Sequence, residues 1–376
     1  MTSYAHARWA TPAVTLAFVQ IVVLTTWFPS KRNPSAGSFI ARDVRALSRD
    51  HDVRVLHLAA PELDDGERVF QVDGVPVQRL GLDVRSPRDW FAAARVARRA
   101  TAGADVLHTM AAPALLPYLV RRPSVPWVHT EHWSGVVNLA GSGRSRLARP
   151  LSRRALSGPD VVVAVSEYLA DAVRSLRRGP TEIVGNIVDI SAPGALPSKR
   201  PSDGLRLVAI GTVKENNGWR LALRTLALLR ERGVDATLTW FGDGPDLQAL
   251  RTEAGELPVR TPGHVDASAL RAGMESADVL LLPTAVETFS LVTVEALAAG
   301  LPVLATGVGA HTEFIVPGTG AVVAREPGPL ADAAVALASA DRDVVARHGA
   351  NLAAQFSEKN FRERYSEIYE RALRQR

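Results

Sequence analysis

Two carboxylates, Glu287 and Glu295, stand at the two ends of an eight-residue step in the segment Pro283-Thr284-Ala285-Val286-Glu287-Thr288-Phe289-Ser290-Leu291-Val292-Thr293-Val294-Glu295-Ala296-Leu297. The segment follows the apolar run Val279–Leu282, and its second half reads as a helix stopped by Gly300 and Pro302. A loop that runs from a strand end onto a helix N-terminus exposes unpaired backbone N–H groups, which suits phosphate oxygens. Glu287 falls in the loop and Glu295 about one turn inside the helix. Carboxylates so placed can accept hydrogen bonds from hydroxyls on either side of a bound diphosphate, one set on a sugar and one on a ribose. The plainer alternative is a pair of solvated helix-start charges that merely favour the macrodipole.

What must position such a loop is a sheet, and the chain alternates short apolar runs with amphipathic stretches, the pattern of βα units around parallel sheets. In the first half the strand-like runs are Gln20–Leu24, Val53–Leu58, Asp105–His108, Trp127–Thr130 and Val161–Val165, with helical patterns at Phe39–Arg49, Trp90–Arg99, Arg146–Leu156 and Glu167–Arg177. Val69–Leu80, with Asp73-Gly74 inside it, reads as a local hairpin. The Pro-, Gly- and Ser-rich stretch Ser191–Gly204 marks a linker. The alternation then restarts, with strands expected at Leu205–Ile210, Ala236–Phe241, Val259, Val279–Leu282 and Val303–Ala305. Two helical stretches close the chain, the last with Phe361, Tyr365 and Tyr369 on one face, a structural stripe. The expected organisation is an N-terminal Rossmann-like acceptor domain over 1–192, a linker over 193–204, a donor domain of the same class over 205–357, and a C-terminal helix in 358–376 packing back on the first domain. Residues 1–18 read as an appendage, with a native start near Val19.

Composition narrows the function classes. With 376 residues, 47% of them hydrophobic and 22% charged, the chain has the make-up of a two-domain globular protein. It has no Cys, so disulfides and thiolate metal sites are excluded and a reducing cytoplasm is the natural compartment. The net charge of +5 comes from dispersed Arg rather than a basic stripe, which argues against nucleic acid. The apolar stretch Ala13–Phe28 is too short for a membrane span and is interrupted by Gln20. The basic segment Arg144–Arg154 has some amphipathic character but no aromatic anchors, and reads as a solvated face rather than a membrane contact.

The Glu287-to-Glu295 segment resembles the E-x7-E signature of retaining glycosyltransferases of the GT-B fold, specifically glycosyltransferase family 4. Further stretches match in order: Thr26-Trp27-Phe28-Pro29 through Gly37-Ser38-Phe39, Val128-His129-Thr130-Glu131-His132, Val163–Ser166, Asn186–Asp189, Phe241-Gly242-Asp243-Gly244-Pro245 and Gly263-His264-Val265. The resemblance implies two Rossmann-like domains facing each other across a cleft, and transfer of a hexose-type sugar from a nucleoside diphosphate sugar to a hydroxyl acceptor with retention. It implies that Glu295 binds ribose and Glu287 the transferred sugar, while the amides of Phe289, Ser290 and Leu291, together with Gly37, hold the diphosphate. Gly242, His264 and Val265 would flank the nucleotide, and His132 would touch the sugar near the anomeric centre. Asp243 reads as a turn residue. No cofactor or metal is expected, because no DxD-type triplet stands at a strand end; Asp64-Asp65 reads as a solvated turn.

The sequence departs from the family at Gly211-Thr212-Val213-Lys214-Glu215-Asn216-Asn217-Gly218, where Thr212 and Asn217 occupy positions usually held by diphosphate-binding Arg and Lys. Each such contact is worth about 3–4 kcal/mol of leaving-group stabilisation. Either Lys214 or another Arg substitutes, or the enzyme is weak, or the chain is no enzyme but a nucleotide-sugar-binding partner of another transferase; Lys214 reads equally well as a solvated loop charge. A sugar-nucleotide 2-epimerase is the third reading. The acceptor and the base are not written in any recognisable motif.

Overall fold

Runs such as Val161–Ala164 and Val279–Leu282 have no polar face, so the strands they form must be covered on both sides. The computed structural model describes residues 18–83, 85–141, 148–188 and 204–375. The expected linker and appendage, apart from Phe18 and Gly204, and residues 142–147 of the basic segment lie outside the described residues.

The first sheet contains β1 (Gln20–Thr25), β2 (Asp52–Ala59), β3 (Val69–Val72), β4 (Val75–Gly81), β5 (Val106–Met110), β6 (Trp127–Glu131), β7 (Val161–Ala164) and β8 (Thr181–Ile183), in the order β3-β4-β2-β1-β5-β6-β7-β8. Its neighbours are parallel except β3–β4, the expected hairpin, whose turn places Asp73 (φ 49) and Gly74 (φ 82) in the left-handed region. The second sheet contains β9 (Leu205–Ile210), β10 (Ala236–Phe241), β11 (Val259–Gly263), β12 (Val279–Leu282), β13 (Val303–Thr306) and β14 (Gly320–Val323), in the order β11-β10-β9-β12-β13-β14, all parallel. Each sheet winds outwards in both directions from its first strand, so each has a switch point, at β1/β5 and at β9/β12. Ligands of such folds sit outside the strand ends at those points.

In the first half the helices are α1 (Ser38–Leu47), α2 (Pro87–Ala100), α3 (Gly135–Gly141), α4 (Ala148–Leu156) and α5 (Glu167–Leu176). The second half holds α6 (Trp219–Glu231), α7 (Leu247–Ala254), α8 (Ala267–Ser276), α9 (Leu291–Ala298), α10 (His311–Phe314), α11 (Pro327–Leu337), α12 (Arg342–Gln355) and α13 (Glu358–Arg374). Side-chain caps begin several of them: Ser86 accepts from the Asp89 N–H, Ser166 from Leu169 and Asp266 from Ala269. Three helices rather than two follow β14, and the sequence pattern did not reveal β8, β14 or α3. The two missed strands are short and half-exposed, without the apolar run that marks the others.

The last helix, α13, lies on the first domain. Its Phe361, Tyr365 and Tyr369 are buried, and the tyrosine hydroxyls enter a chain in which Tyr369 meets His108 Nδ1 (2.8 Å) and Tyr365 meets Thr130 Oγ1 (2.7 Å). An Arg362–Asp50 ion pair adds to the attachment.

Asp64-Asp65 is not the solvated turn expected from its polar neighbours. Arg79 on β4 is buried with its guanidinium against Asp65, His57 Nδ1 (3.0 Å) and the Pro29 carbonyl (2.7 Å). A buried cation needs a counter-charge, and the Asp65 side chain, only 5% exposed, supplies it. Burial works to raise the Asp65 pKa, but the Lys31 N–H and Arg79 outweigh it and hold the carboxyl well below its usual range. The cluster fixes the loop after β1.

Contacts between the two domains are specific. Phe289, Phe314 and Phe356 pack edge to face with ring centres 5.0–5.6 Å apart, and a side chain at Gly185 of the first domain would collide with two of these rings. Glu313 on α10 accepts from the N–H groups of Glu167 (2.9 Å) and Tyr168 (2.8 Å), the first amides of α5 in the other domain. Among the described residues no helix is long and apolar enough to cross a membrane.

Candidate functional site

A cavity of about 350 Å³ lies between the domains. From the second domain it is lined by the ends of β9 (Ile210, Gly211) and β12 (Leu282, Pro283), which is that sheet's switch point, and by Glu287–Val292. From the first it is lined by Trp27 after β1, Phe39 of α1, His132 after β6, and Asn186. Of the residues selected from sequence, it brings together His132, Glu287, Phe289, Ser290 and Leu291.

The Glu287–Leu291 loop is held from several sides. The Phe289 side chain is buried in the aromatic cluster between the domains. The Glu287 carbonyl accepts from the Ala310 N–H, and Gly309 (φ 66) lies so close beneath that a Cβ there would strike that carbonyl oxygen. Ser290 takes a left-handed conformation (φ 66) that few non-glycine residues adopt, steadied by a 2.7 Å bond between its hydroxyl and Thr293. The turn aims the first amides of α9 into the cleft, and the N–H groups of Ser290, Leu291 and Val292 have no partner among the described residues. The Phe289 amide differs from expectation: with that of Thr288 it donates to Glu287 Oε1, at 3.2 and 2.9 Å, so the run of unpartnered amides begins one residue later. Glu295, half-buried one turn further along α9, is outside the described lining.

Across the cleft His132 is 6% exposed, and neither ring nitrogen has a hydrogen-bond partner. Burial, and then the neighbouring His129, push its pKa down to about 3; the Asn186 amide, too poorly placed to complete a bond, opposes the shift. His132 is therefore a neutral imidazole, a hydrogen-bonding group rather than a cation. Its position depends on a residue the sequence reading passed over. Glu131 is fully buried, and its Oε1 accepts from the N–H groups of Trp133 (2.7 Å), His132 (2.9 Å) and Ala112 (3.3 Å), while Oε2 faces His129 Nε2 at 3.3 Å. The His132 carbonyl accepts from the Thr288 hydroxyl at 3.2 Å, tying this wall to the opposite loop. Phe39 stacks obliquely on the His132 ring, 4.9 Å between centres. Asn186, noted in the sequence only as a landmark, has an unpartnered buried Oδ1 here. Under the floor, His311 is buried with its Nε2 unpartnered; burial lowers its pKa, while the Thr306 carbonyl and Glu287 oppose the shift.

The remaining selected residues do not line this cavity. Gly37 (φ 65) is required by the chain itself, because a Cβ would strike the Trp27 backbone. Gly242 (φ 133) likewise makes room for the Gly211 carbonyl. Asp243 Oδ2 accepts from the His264 N–H at 2.9 Å, so it has the structural role expected and occupies the amide of a residue expected to flank the nucleotide. His264 is exposed and Val265 half-buried. Lys214 is exposed on the loop between Gly211 and Asn217, both of which reach the cavity; Asn217 closes that loop by donating to the Thr212 carbonyl at 2.7 Å. No Lys or Arg is among the described lining residues. Nor, among the described residues, does any group of three His, Cys, Asp or Glu side chains come together to hold a metal ion.

Comparison with known proteins agrees with this geometry. Residues 36–192 match the profile of Glycosyltransferase Family 4 and residues 204–340 that of Glycosyl transferases group 1. A phosphatidyl-myo-inositol mannosyltransferase of Mycobacterium leprae is 31% identical over 309 residues, covering 77% of this chain and 79% of that protein. A glycogen synthase of Mycobacterium tuberculosis is 27% identical over 339 residues, covering 83% and 76%. Among solved structures, sucrose-phosphate synthase from Thermosynechococcus elongatus superposes with a TM-score of 0.75 at 19% identity, over 95% of this chain and 100% of that one. Anabaena HepE, in complex with UDP and glucose, superposes with a TM-score of 0.69 at 18% identity, over 93% and 99%. With its two facing parallel-sheet domains and the loop of Glu287 between them, this chain belongs to glycosyltransferase family 4, the group 1 glycosyl transferases.

Proposed function

We propose that the chain transfers a hexose-type sugar from a nucleoside diphosphate sugar to a hydroxyl acceptor, with retention of anomeric configuration and without a metal ion. The observation that carries this is the set of unsatisfied polar groups converging on one interdomain cavity: the Ser290–Val292 amides on one wall, His132 and the Asn186 oxygen on the other. Free amides at a helix start suit a diphosphate, and unpartnered neutral groups opposite them suit sugar hydroxyls. In this reading the amides of α9 stabilise the leaving diphosphate as the bond from C1 to its oxygen breaks. The acceptor hydroxyl forms the new bond to C1 from the same face, and its proton passes to a phosphate oxygen of the donor. Glu287 orients the sugar, Glu295 the ribose, and His132 hydrogen-bonds near C1. Lys214, on a flexible stem beside the cavity mouth, supplies the cation that Thr212 and Asn217 cannot.

The test is calorimetric titration of UDP, GDP and dTDP in EDTA and then with Mg²⁺, on the wild type and on Glu295→Ala, followed by turnover of the matching sugar nucleotide. Binding of one nucleotide that survives EDTA and fails in the variant, with an axial or equatorial product linkage matching the donor's, supports the reading. The absence of Lys and Arg from the described lining favours one alternative, a nucleotide-sugar-binding partner without turnover. Failure of the folded wild type to bind any nucleotide would remove the donor site from both readings.

A further inference from the structure

Trp127, His129 and Glu131 alternate along β6, so their side chains stand on one face of the first sheet, and all three are buried. Opposite His129 and Glu131 on β7 are Val162 and Ala164, so the row is a polar line across an apolar sheet. Trp127 Nε1 donates to Thr109 Oγ1 on β5 at 2.9 Å, and that oxygen lies 2.9 Å from His129 Nδ1. His129 Nε2 in turn lies 3.3 Å from Glu131 Oε2. An indole N–H only donates, so it takes a lone pair of the Thr109 oxygen and leaves the hydroxyl hydrogen to be placed. The Val128 carbonyl is 3.4 Å from that oxygen and His129 Nδ1 2.9 Å, so the hydroxyl points at Nδ1. Three N–H groups converge on Glu131 Oε1, which marks the carboxylate as an acceptor. The imidazole proton then sits on Nε2, facing Oε2, and the bonds run one way from Trp127 to Glu131.

We propose that His129 is a positioning residue for glycosyl transfer: its Nε2–H holds Glu131 in the orientation that ties the loops after β5 and β6 together, and so sets His132 against the sugar. The inference rests on the transfer reading above. His129 is absent from the described lining of the cavity, so it acts through Glu131. Glu131 Oε1 reaches both loops, Ala112 after β5 and His132 and Trp133 after β6. The first of these loops starts at Ala111, whose φ of 67 is costly for a residue with a Cβ and must be held by its surroundings. The last torsion of a Glu side chain is broad, so a carboxylate without a donor on Oε2 turns freely and the three amides lose their common acceptor. The Nε2–H stops that rotation. Thr109 fixes the tautomer, because a proton on Nδ1 instead would leave a lone pair facing Oε2.

The experiment pairs steady-state kinetics with imidazole ¹⁵N spectra of the full chain. Two-bond ¹H–¹⁵N correlation of histidine-labelled protein, with His129 assigned by its loss in His129→Gln, should show a proton on Nε2 and none on Nδ1. His129→Leu, assayed where circular dichroism shows it folded, should lower kcat about 10- to 100-fold. Its Kd for whichever of UDP, GDP and dTDP the wild type binds should stay within about twofold, because the amides facing the diphosphate belong to the other domain. His129→Gln, whose amide still donates towards Oε2, should return kcat to within about threefold of wild type. In a His132→Phe background, His129→Leu should cost no more than about a further threefold, since both changes disable one group. A proton on Nδ1, an unchanged kcat in folded His129→Leu, or the same fold-loss in both backgrounds would overturn the proposal. A wild type that turns over no sugar nucleotide overturns the transfer reading and this one with it. The Nε2 proton, read without substrate, tells that failure from a failure of the bonds themselves.

Discussion

Replacing His132 by phenylalanine should stabilise the protein while disabling it. The imidazole is 6% exposed with neither nitrogen bonded, and each unmatched buried polar group costs about 1–3 kcal/mol. A phenyl ring fills similar space beside Phe39 without that cost, so at neutral pH the variant should gain about 1–3 kcal/mol. Acid adds a second signature. The folded pKa is about 3 against an ordinary 6.5, so below 6.5 the unfolded chain takes up a proton that the folded one refuses. This residue's contribution is complete above pH 6.5 and is lost as pH falls towards 3, at about 1.4 kcal/mol per unit. By about pH 5 the gap between variant and wild type should have widened by about 2 kcal/mol, because phenylalanine has no such dependence. Urea denaturation at the two pH values measures the gap, and kcat with the sugar nucleotide measures the loss of function, expected at about 10²–10³-fold. A gap that does not change with pH, or a variant less stable than wild type at neutrality, would refute the picture of a buried, neutral, unpartnered imidazole.

Further substitutions separate the supports of the site. Glu131→Ala strips the acceptor from three amides and should cost about 3–5 kcal/mol with a fall in kcat, whereas Glu131→Gln retains an acceptor oxygen and should recover most of both; denaturation and turnover on the pair decide it. Lys214→Ala should leave stability within about 0.5 kcal/mol, since the side chain is exposed, yet lower kcat at least about tenfold; unchanged kcat would return Lys214 to the solvated loop. Gly309→Ala should cost about 2 kcal/mol or more and weaken donor binding, because its Cβ would displace the Glu287 carbonyl from below; thermal unfolding and nucleotide titration report the two effects.

The two sheets were legible because their central strands are uninterrupted apolar runs, Val279–Leu282 and Val161–Ala164 among them. Edge strands β8 and β14 were not, since three or four half-exposed residues carry no such pattern. In the site, the Glu287 loop could be read from local order: strand, turn and helix stop all lie within one segment. Glu131 could not, because its meaning comes from amides that converge only in the folded loop after β6. Asp65 misled for the same reason, since it lies in a loop and its partner Arg79 on β4. Glycines 37 and 242 stand where the motif order placed them, but the chain's own backbone accounts for them.

The carboxylate of Glu313 makes one helix end depend on the other domain. Its oxygens serve the Glu167 and Tyr168 amides, so any widening of the cleft leaves those two amides unmatched, while Ser166 goes on accepting from Leu169. Breathing of the two halves is thereby coupled to the loss of this outer part of the α5 cap, at about 1–2 kcal/mol, which weights closed over open by roughly five- to thirtyfold. The contact is exposed, so dissolved ions compete for both partners. Ionic strength thus acts on the protein as a hinge-stiffness control: dilute buffer holds the halves together before any substrate arrives, and salt lengthens the time the cleft stands open.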